Sequence, residues 1–306
     1  MSVTNFLHSL NGPLLVEPRV GRVLVGILMR KLAGATFSGA DLHTEIGIAM
    51  PEQRAAAQAK ARDQAAETGI AIIPIVGIIS QRPSSLGAST DQIGAMVDAA
   101  VASKHIDAIL FDVDSPGGVV TAVPETAARI REAGKVKPTL TLSNGLMASA
   151  AYWLGAAANE VWITPSGEAG SIGVWTAHED WSGKLEKEGV KITPISAGKF
   201  KLEGAFWEPL SEEAQAHLQS QVDEVFGWFV KDVASFRKDT QANVRAGYGQ
   251  GRVLMAEQAV KANLADKIGT MDEAIARLAA KVGASRKTRA SIDRDRLALD
   301  AARLSA

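Results

Sequence analysis

Between residues 69 and 196 the apolar positions fall in short blocks. After residue 211 they fall into a rhythm of threes and fours. Blocks rich in β-branched residues and bounded by turn formers predict strands. They are GIAIIPIVGIIS (69–80), HIDAILFDVD (105–114), KPTLTLS (137–143), NEVWITP (159–165), GSIGVWTA (170–177) and KITPIS (191–196). Pro74 inside the first block argues for an edge position or a bulge. Helices are predicted over Thr90–Ser103, over Glu125–Ala133 with Pro124 at the first position, and over the small-residue stretch MASAAYWLGAAA (147–158). Strand and helix alternate, which predicts an α/β architecture with largely parallel pairing. Ser211 caps a long predicted helix with Glu212 and Glu213 in its first turn. Leu218, Val222, Val225, Phe226, Phe229, Val233 and Phe236 form one stripe along it, read as core or subunit interface. Residues 256–281 read as helix, turn, helix.

These patterns divide the chain into an N-terminal extension and helical linker (1–68), a main domain (69–283) and a charged tail (284–306). Within the extension, the Ala-rich run 51–68 reads as an exposed helix. The best apolar candidate for a membrane segment, Val20–Met29, is short and broken by Arg22, and a spanning helix needs about 20 apolar residues. No basic-then-apolar leader opens the chain. The expectation is therefore a cytoplasmic protein with no membrane partner.

Composition narrows the chemistry. The 306 residues carry a net charge of −1, which offers no general field for nucleic acid. Cysteine is absent, which removes disulfides, thiolate catalysis and cysteine-ligated zinc.

Four stretches carry candidate chemistry. Asp114-Ser115-Pro116-Gly117-Gly118 ends a predicted strand, where glycines let backbone N–H groups face a cleft as oxyanion donors. It also fits a plain strand-to-helix turn. Met147-Ala148-Ser149-Ala150-Ala151 sets a serine at a helix start, where it is either a nucleophile or an ordinary cap. Gly170-Ser171-Ile172-Gly173-Val174 supplies a second serine, able to bond a catalytic amine or its own backbone. Gly198-Lys199-Phe200-Lys201 supplies lysines, which act as general bases only when desolvated and neutral, and which mostly sit in solvent.

In this order and spacing the four stretches resemble the signal peptide peptidase A family of serine peptidases, from about residue 69 to about residue 278. Gly251-Arg252-Val253 and Asn263-Leu264-Ala265-Asp266 extend the likeness. LLVEPRVGRV near the N-terminus and GSIGVWTAHEDWSGKLEKEGVKIT resemble the phage, lambda-type capsid-assembly branch. The resemblance implies a crotonase/Clp-protease-like superhelix of ββα units with a C-terminal helical region, assembled as a homo-oligomer. It implies a Ser–Lys dyad of Ser149 and Lys201, with Ser171 and Gly117 in support and the N–H groups of Gly118 and Ala150 as oxyanion hole. No metal or cofactor is implied. Protein or peptide substrates, including scaffold or portal proteins, would be met in the host cytoplasm or prohead, and family sites can draw the serine and the lysine from adjacent protomers. Lys199 and His178 are rival bases. A non-catalytic assembly scaffold, a cellular signal-peptide-clearing peptidase and an acyl-CoA enzyme on the same fold are the rival functions.

Overall fold

A computed structural model describes residues 13–32, 34, 41 and 67–283. The linker 51–66 and the tail 284–306 lie outside the described residues. Strands β1 (Leu14–Val16), β2 (Ile70–Val76), β3 (Ala108–Ser115), β4 (Gly117–Val119), β5 (Thr139–Ala148), β6 (Glu160–Ile163), β7 (Glu168–Gly170), β8 (Val253–Met255) and β9 (Lys267–Ile268) alternate with helices. The helices are α1 (Pro18–Leu32), α2 (Thr90–Ala102), α3 (Val123–Val136), α4 (Ala150–Ala156), α5 (Ser182–Lys187), α6 (Glu212–Arg237), α7 (Gln241–Gly247), α8 (Ala256–Lys261) and α9 (271–283).

The main sheet runs β2-β3-β5-β6-β9, all parallel. Both of its faces are covered, which is why its strands read as unbroken apolar blocks rather than as alternation. Ile109, Phe111 and Val113 of β3 point into a core shared with α2, α3, α4 and α6. Ala108 and Leu110 point the other way, into a core with Ala274, Ile275 and Leu278 of α9. The far end of β5 leaves β6: Leu140–Ser143 pair with β6, whereas Leu146–Ala148 pair with β7. β8 then pairs antiparallel with β7. Mixed α/β class with parallel pairing was legible in the sequence.

Two predicted strands are absent. Residues 171–177 form no strand, and of them only Trp175 makes an isolated bridge. KITPIS is irregular and exposed throughout. Its apolar residues find no second strand among the described residues, and Ile195 is 98% exposed. The long helix starts where predicted, with Ser211 Oγ accepting from Ala214 N. Its stripe is buried only in the C-terminal half, at Val225, Phe229 and Val233. Among the described residues, no helix is long and apolar enough to cross a membrane.

Candidate active site

Ser149 sits between the end of β5 and the start of α4, with φ 57° and ψ −119°. Positive φ is costly for a residue bearing Cβ, by about 1–3 kcal/mol, and persists only where the surroundings enforce it. Those surroundings are on both sides. Ser149 N donates to Gly170 O at 2.8 Å, and Ser149 O accepts from Trp153 N at 3.0 Å. α4 itself is clamped. Trp153 stacks on Phe229 of α6 with ring centroids 4.6 Å apart, and its indole N–H donates to Asp232 at 2.9 Å. Burial raises the Asp232 carboxyl above the usual carboxylate range, against the Trp153 bond, which lowers it. Tyr152 OH donates to Leu264 O at 3.0 Å. The sharp strand–turn–helix that results is the geometry of a nucleophile elbow, which thrusts a serine hydroxyl out of the backbone.

The Ser-Pro-Gly-Gly turn lies over this elbow. Ser115 Oγ donates to Gly77 O at 2.6 Å and accepts from Gly117 N at 3.2 Å. Ile79 N donates to Gly117 O at 2.8 Å, and Val119 N donates to Ile79 O at 3.0 Å. Gly117 has φ +95°, and a Cβ there would lie 3.0 Å from Ala148 O and 3.0 Å from Ala150 N. Only glycine lets the turn come this close to the elbow. Gly170 and Ser171 close the other side. Gly170 has φ +131° and Ser171 has φ 53°. Ser171 N donates to Arg252 O at 2.8 Å. The Gly251-Arg252-Val253 stretch is thereby explained as the backing of this turn.

Gly117, Gly118, Ser149, Ala150 and Ser171 thus converge. Lys201 does not join them. It lies in an exposed turn at the end of a run, residues 186–201, whose every residue is exposed. Ser149 is 1% exposed, and among the described residues its Oγ has no hydrogen-bond partner. The rival bases are engaged elsewhere: Lys199 pairs with Glu213 at 2.9 Å, and a ring nitrogen of His178 lies 3.2 Å from Glu208 O. Among the described residues, no cluster of His, Asp or Glu could hold a metal ion.

One element at the site escaped the sequence reading. β1 pairs antiparallel with β4, in the register Leu14↔Val119, Leu15↔Gly118 and Val16↔Gly117. Its other side meets Trp175, with Leu14 N donating to Trp175 O at 2.8 Å and Trp175 N donating to Leu14 O at 3.2 Å. The only sequence signal was the apolar triplet Leu-Leu-Val before Glu-Pro, too short to distinguish a strand.

The Asn263-Leu264-Ala265-Asp266 stretch forms a clamp away from the elbow. Arg237 Nη2 donates to Asp266 at 2.6 Å, and Arg237 Nε donates to Asn263 O at 2.9 Å. Burial is the largest influence on Arg237 and would lower its pKa, but the Asp266 bond together with the charges of Asp266, Tyr152 and Tyr248 outweighs it and holds the guanidinium above its ordinary value.

Comparison with known proteins adds the lineage. The chain is 29% identical over 287 residues to capsid assembly protease C of Escherichia phage lambda, covering 87% of this chain and 62% of that protein. It is 30% identical over 280 residues to head-tail preconnector protein GP5 of Enterobacteria phage P21, covering 88% of this chain and 55% of that one. It is 30% identical over 222 residues to protease 4 of Salmonella typhi, covering 70% and 35%. The chain therefore spans 55–62% of the length of the two phage proteins. Residues 131–285, just over half of the chain and including Ser149, Ser171 and Lys201, match the family model, and the chain belongs to peptidase family S49.

Proposed function

We propose that the chain is a serine endopeptidase working through a Ser149–Lys201 dyad, and that it trims proteins during phage head assembly. The observation that carries this reading is the elbow: a buried serine, held at positive φ, with an unpartnered hydroxyl beneath a Gly-Gly turn in a family S49 chain. Ser149 Oγ attacks the peptide carbonyl, and neutral Lys201 takes the proton and returns it to the leaving amine. The Gly118 and Ala150 N–H groups hold the oxyanion, and Ser171 orients the Lys201 amine. The names of the phage relatives, a capsid assembly protease and a head-tail preconnector protein, support the head-assembly role and scaffold or portal proteins as substrates. The work would take place in the host cytoplasm or prohead.

The dyad is completed between copies. Lys201 is exposed while the Ser149 hydroxyl is buried without a base. The arm that bears Lys201 exposes Val190, Ile195, Phe200 and Phe206, an apolar surface suited to a second protomer. We assign residues 69–283 to the peptidase domain on a crotonase/Clp-like superhelix, a reading supported by the parallel sheet and by the short β7–β8 layer set beside it.

The test is hydrolysis of an unfolded, alanine-rich protein. Wild type cleaves it, Ser149→Ala and Lys201→Ala do not, and His178→Ala still does. Activity in Lys201→Ala would move the base to Lys199 or His178. Absence of cleavage by oligomeric wild type would favour an assembly scaffold.

A further inference from the structure

β1 lies between the Gly-Gly strand β4 and Trp175, bonded to both. In an antiparallel strand, successive residues address opposite neighbours. Leu14 exchanges both of its backbone bonds with Trp175. The N–H and C=O of Leu15 therefore face β4, where the register partner is Gly118. Glu17 N donating to Pro116 O at 2.7 Å, two residues further along each strand, keeps the same phase. The Leu15 carbonyl thus meets the N–H proposed above as an oxyanion donor. A Cβ built on Gly117 would lie 2.0 Å from Leu15 O and 3.0 Å from Ala150 N, so the second proposed donor borders the same spot.

The side chains fit the same picture. Leu15 is 0% exposed and packs into the main core with Ile79, Met147 and Ala150. Leu14 and Val16 point to the opposite side and pack with Val20, Leu24, Ile27 and Trp175. The segment is anchored just downstream. Trp175 Nε1 donates to Val16 O at 3.1 Å, Glu17 accepts from Arg19 N at 2.9 Å, and Arg19 pairs with Glu168 at 2.6 Å.

We infer that residues 14–16 are the chain's own occupant of the peptide cleft, with Leu15 in the position of the residue whose carbonyl is attacked, so that a protein substrate must displace this strand. The inference rests on the proposed peptidase reading. It also names the substrate preferred: an extended segment with leucine, or a residue of its size, before the scissile bond. A tethered strand competes at an effective concentration in the millimolar range, so free peptides bind weakly until it leaves.

The test separates occupancy from chemistry by using full-length Ser149→Ala, which cannot turn over. The probe is a fluorescein-labelled peptide of residues 11–18, read by anisotropy. Leu15→Asp frees the slot by burying an unpaired charge where leucine packed. Leu14→Cys with Val119→Cys locks it, because the two are register partners in a chain with no native cysteine. Leu15→Asp is expected to bind the peptide at least about ten-fold more tightly than its parent. The oxidised cysteine pair is expected to bind none, and reduction to restore binding to at least the parent level. If Leu15→Asp proves unfolded, oxidised against reduced protein decides alone. Equal affinity in the locked and unlocked forms overturns the inference. If binding follows the strand as expected but the Ser149 parent hydrolyses nothing, the peptidase reading fails while the occupancy stands.

Discussion

Gly118→Ala probes the turn over the elbow. A Cβ at this position would lie 1.8 Å from Ile79 O, 2.6 Å from Ile79 C and 2.7 Å from Ile79 N. All three are backbone atoms, so no rotamer change relieves the overlap, and β4 must move off residue 79 by more than an ångström. The move breaks the Ile79 N–Gly117 O and Val119 N–Ile79 O bonds. Two such bonds are worth about 1 kcal/mol each. The forced backbone shift adds roughly 1–3 kcal/mol. With a total near 3–5 kcal/mol, Tm should fall by about 6–20 °C. The same displacement carries the Gly118 N–H away from the reacting carbonyl, and losing one oxyanion donor costs about 10²–10³ in kcat. Scanning calorimetry and steady-state hydrolysis of a leucine-containing peptide give the two numbers. A variant with Tm within about 2 °C of wild type and kcat within about two-fold would refute both the packing argument and the assignment of Gly118.

Ser149→Gly and Ser149→Ala should both be inactive, but Gly tolerates φ 57° and ψ −119° where Ala does not. After glycine's extra unfolded-state entropy, Ser149→Gly should be the more stable by about 1 kcal/mol in urea melts; equal midpoints would mean the elbow is unstrained. Arg237→Ala strips the buried guanidinium from Asp266 and Asn263, and should cost about 3 kcal/mol while leaving Ser149 labelling by a fluorophosphonate intact once folded. Loss of labelling in folded Arg237→Ala would show that the clamp governs the site as well. Burial works to raise the Glu160 carboxyl, but hydrogen bonds from Arg277 and Lys281 prevail and set it below the usual range. A lowered folded-state value means that the unfolded chain binds more protons, so this contribution is full above the ordinary glutamate pKa and is lost as pH falls through the folded value. Screened at the surface it amounts to roughly 0.5 kcal/mol. Glu160→Gln should flatten the acid limb of stability against pH, and an unchanged slope would remove Glu160 from that account.

What the sequence disclosed and what it withheld divide along one line. β2, β3, β5 and β6 lie in a sheet covered on both faces, so burial wrote them as apolar runs. The Ser211 cap and the start of α6 were equally plain, because capping is local chemistry. KITPIS looked like a strand from the same β-branched content, yet nothing among the described residues pairs with it, and Ile195 is left exposed. The elbow residues were visible as small and glycine-rich motifs, while the positive φ of Ser149 and Ser171 follows from contacts with Gly170 and Arg252 far along the chain. The contrast between exposed Lys201 and buried Ser149 had no signature in the residue pattern and came only as an expectation of the family resemblance, since it depends on how the arm leaves the body.

Mixing two inactive proteins tests that separation most directly. Ser149→Ala supplies an intact Lys201 and Lys201→Ala supplies an intact Ser149, so co-assembly at equal amounts makes some sites whole if each dyad joins neighbours. Head-to-tail assembly with random exchange predicts that activity returns to about a quarter of wild type. A mixture that has exchanged subunits and still cleaves nothing, beside active wild type, would contradict a dyad shared between protomers.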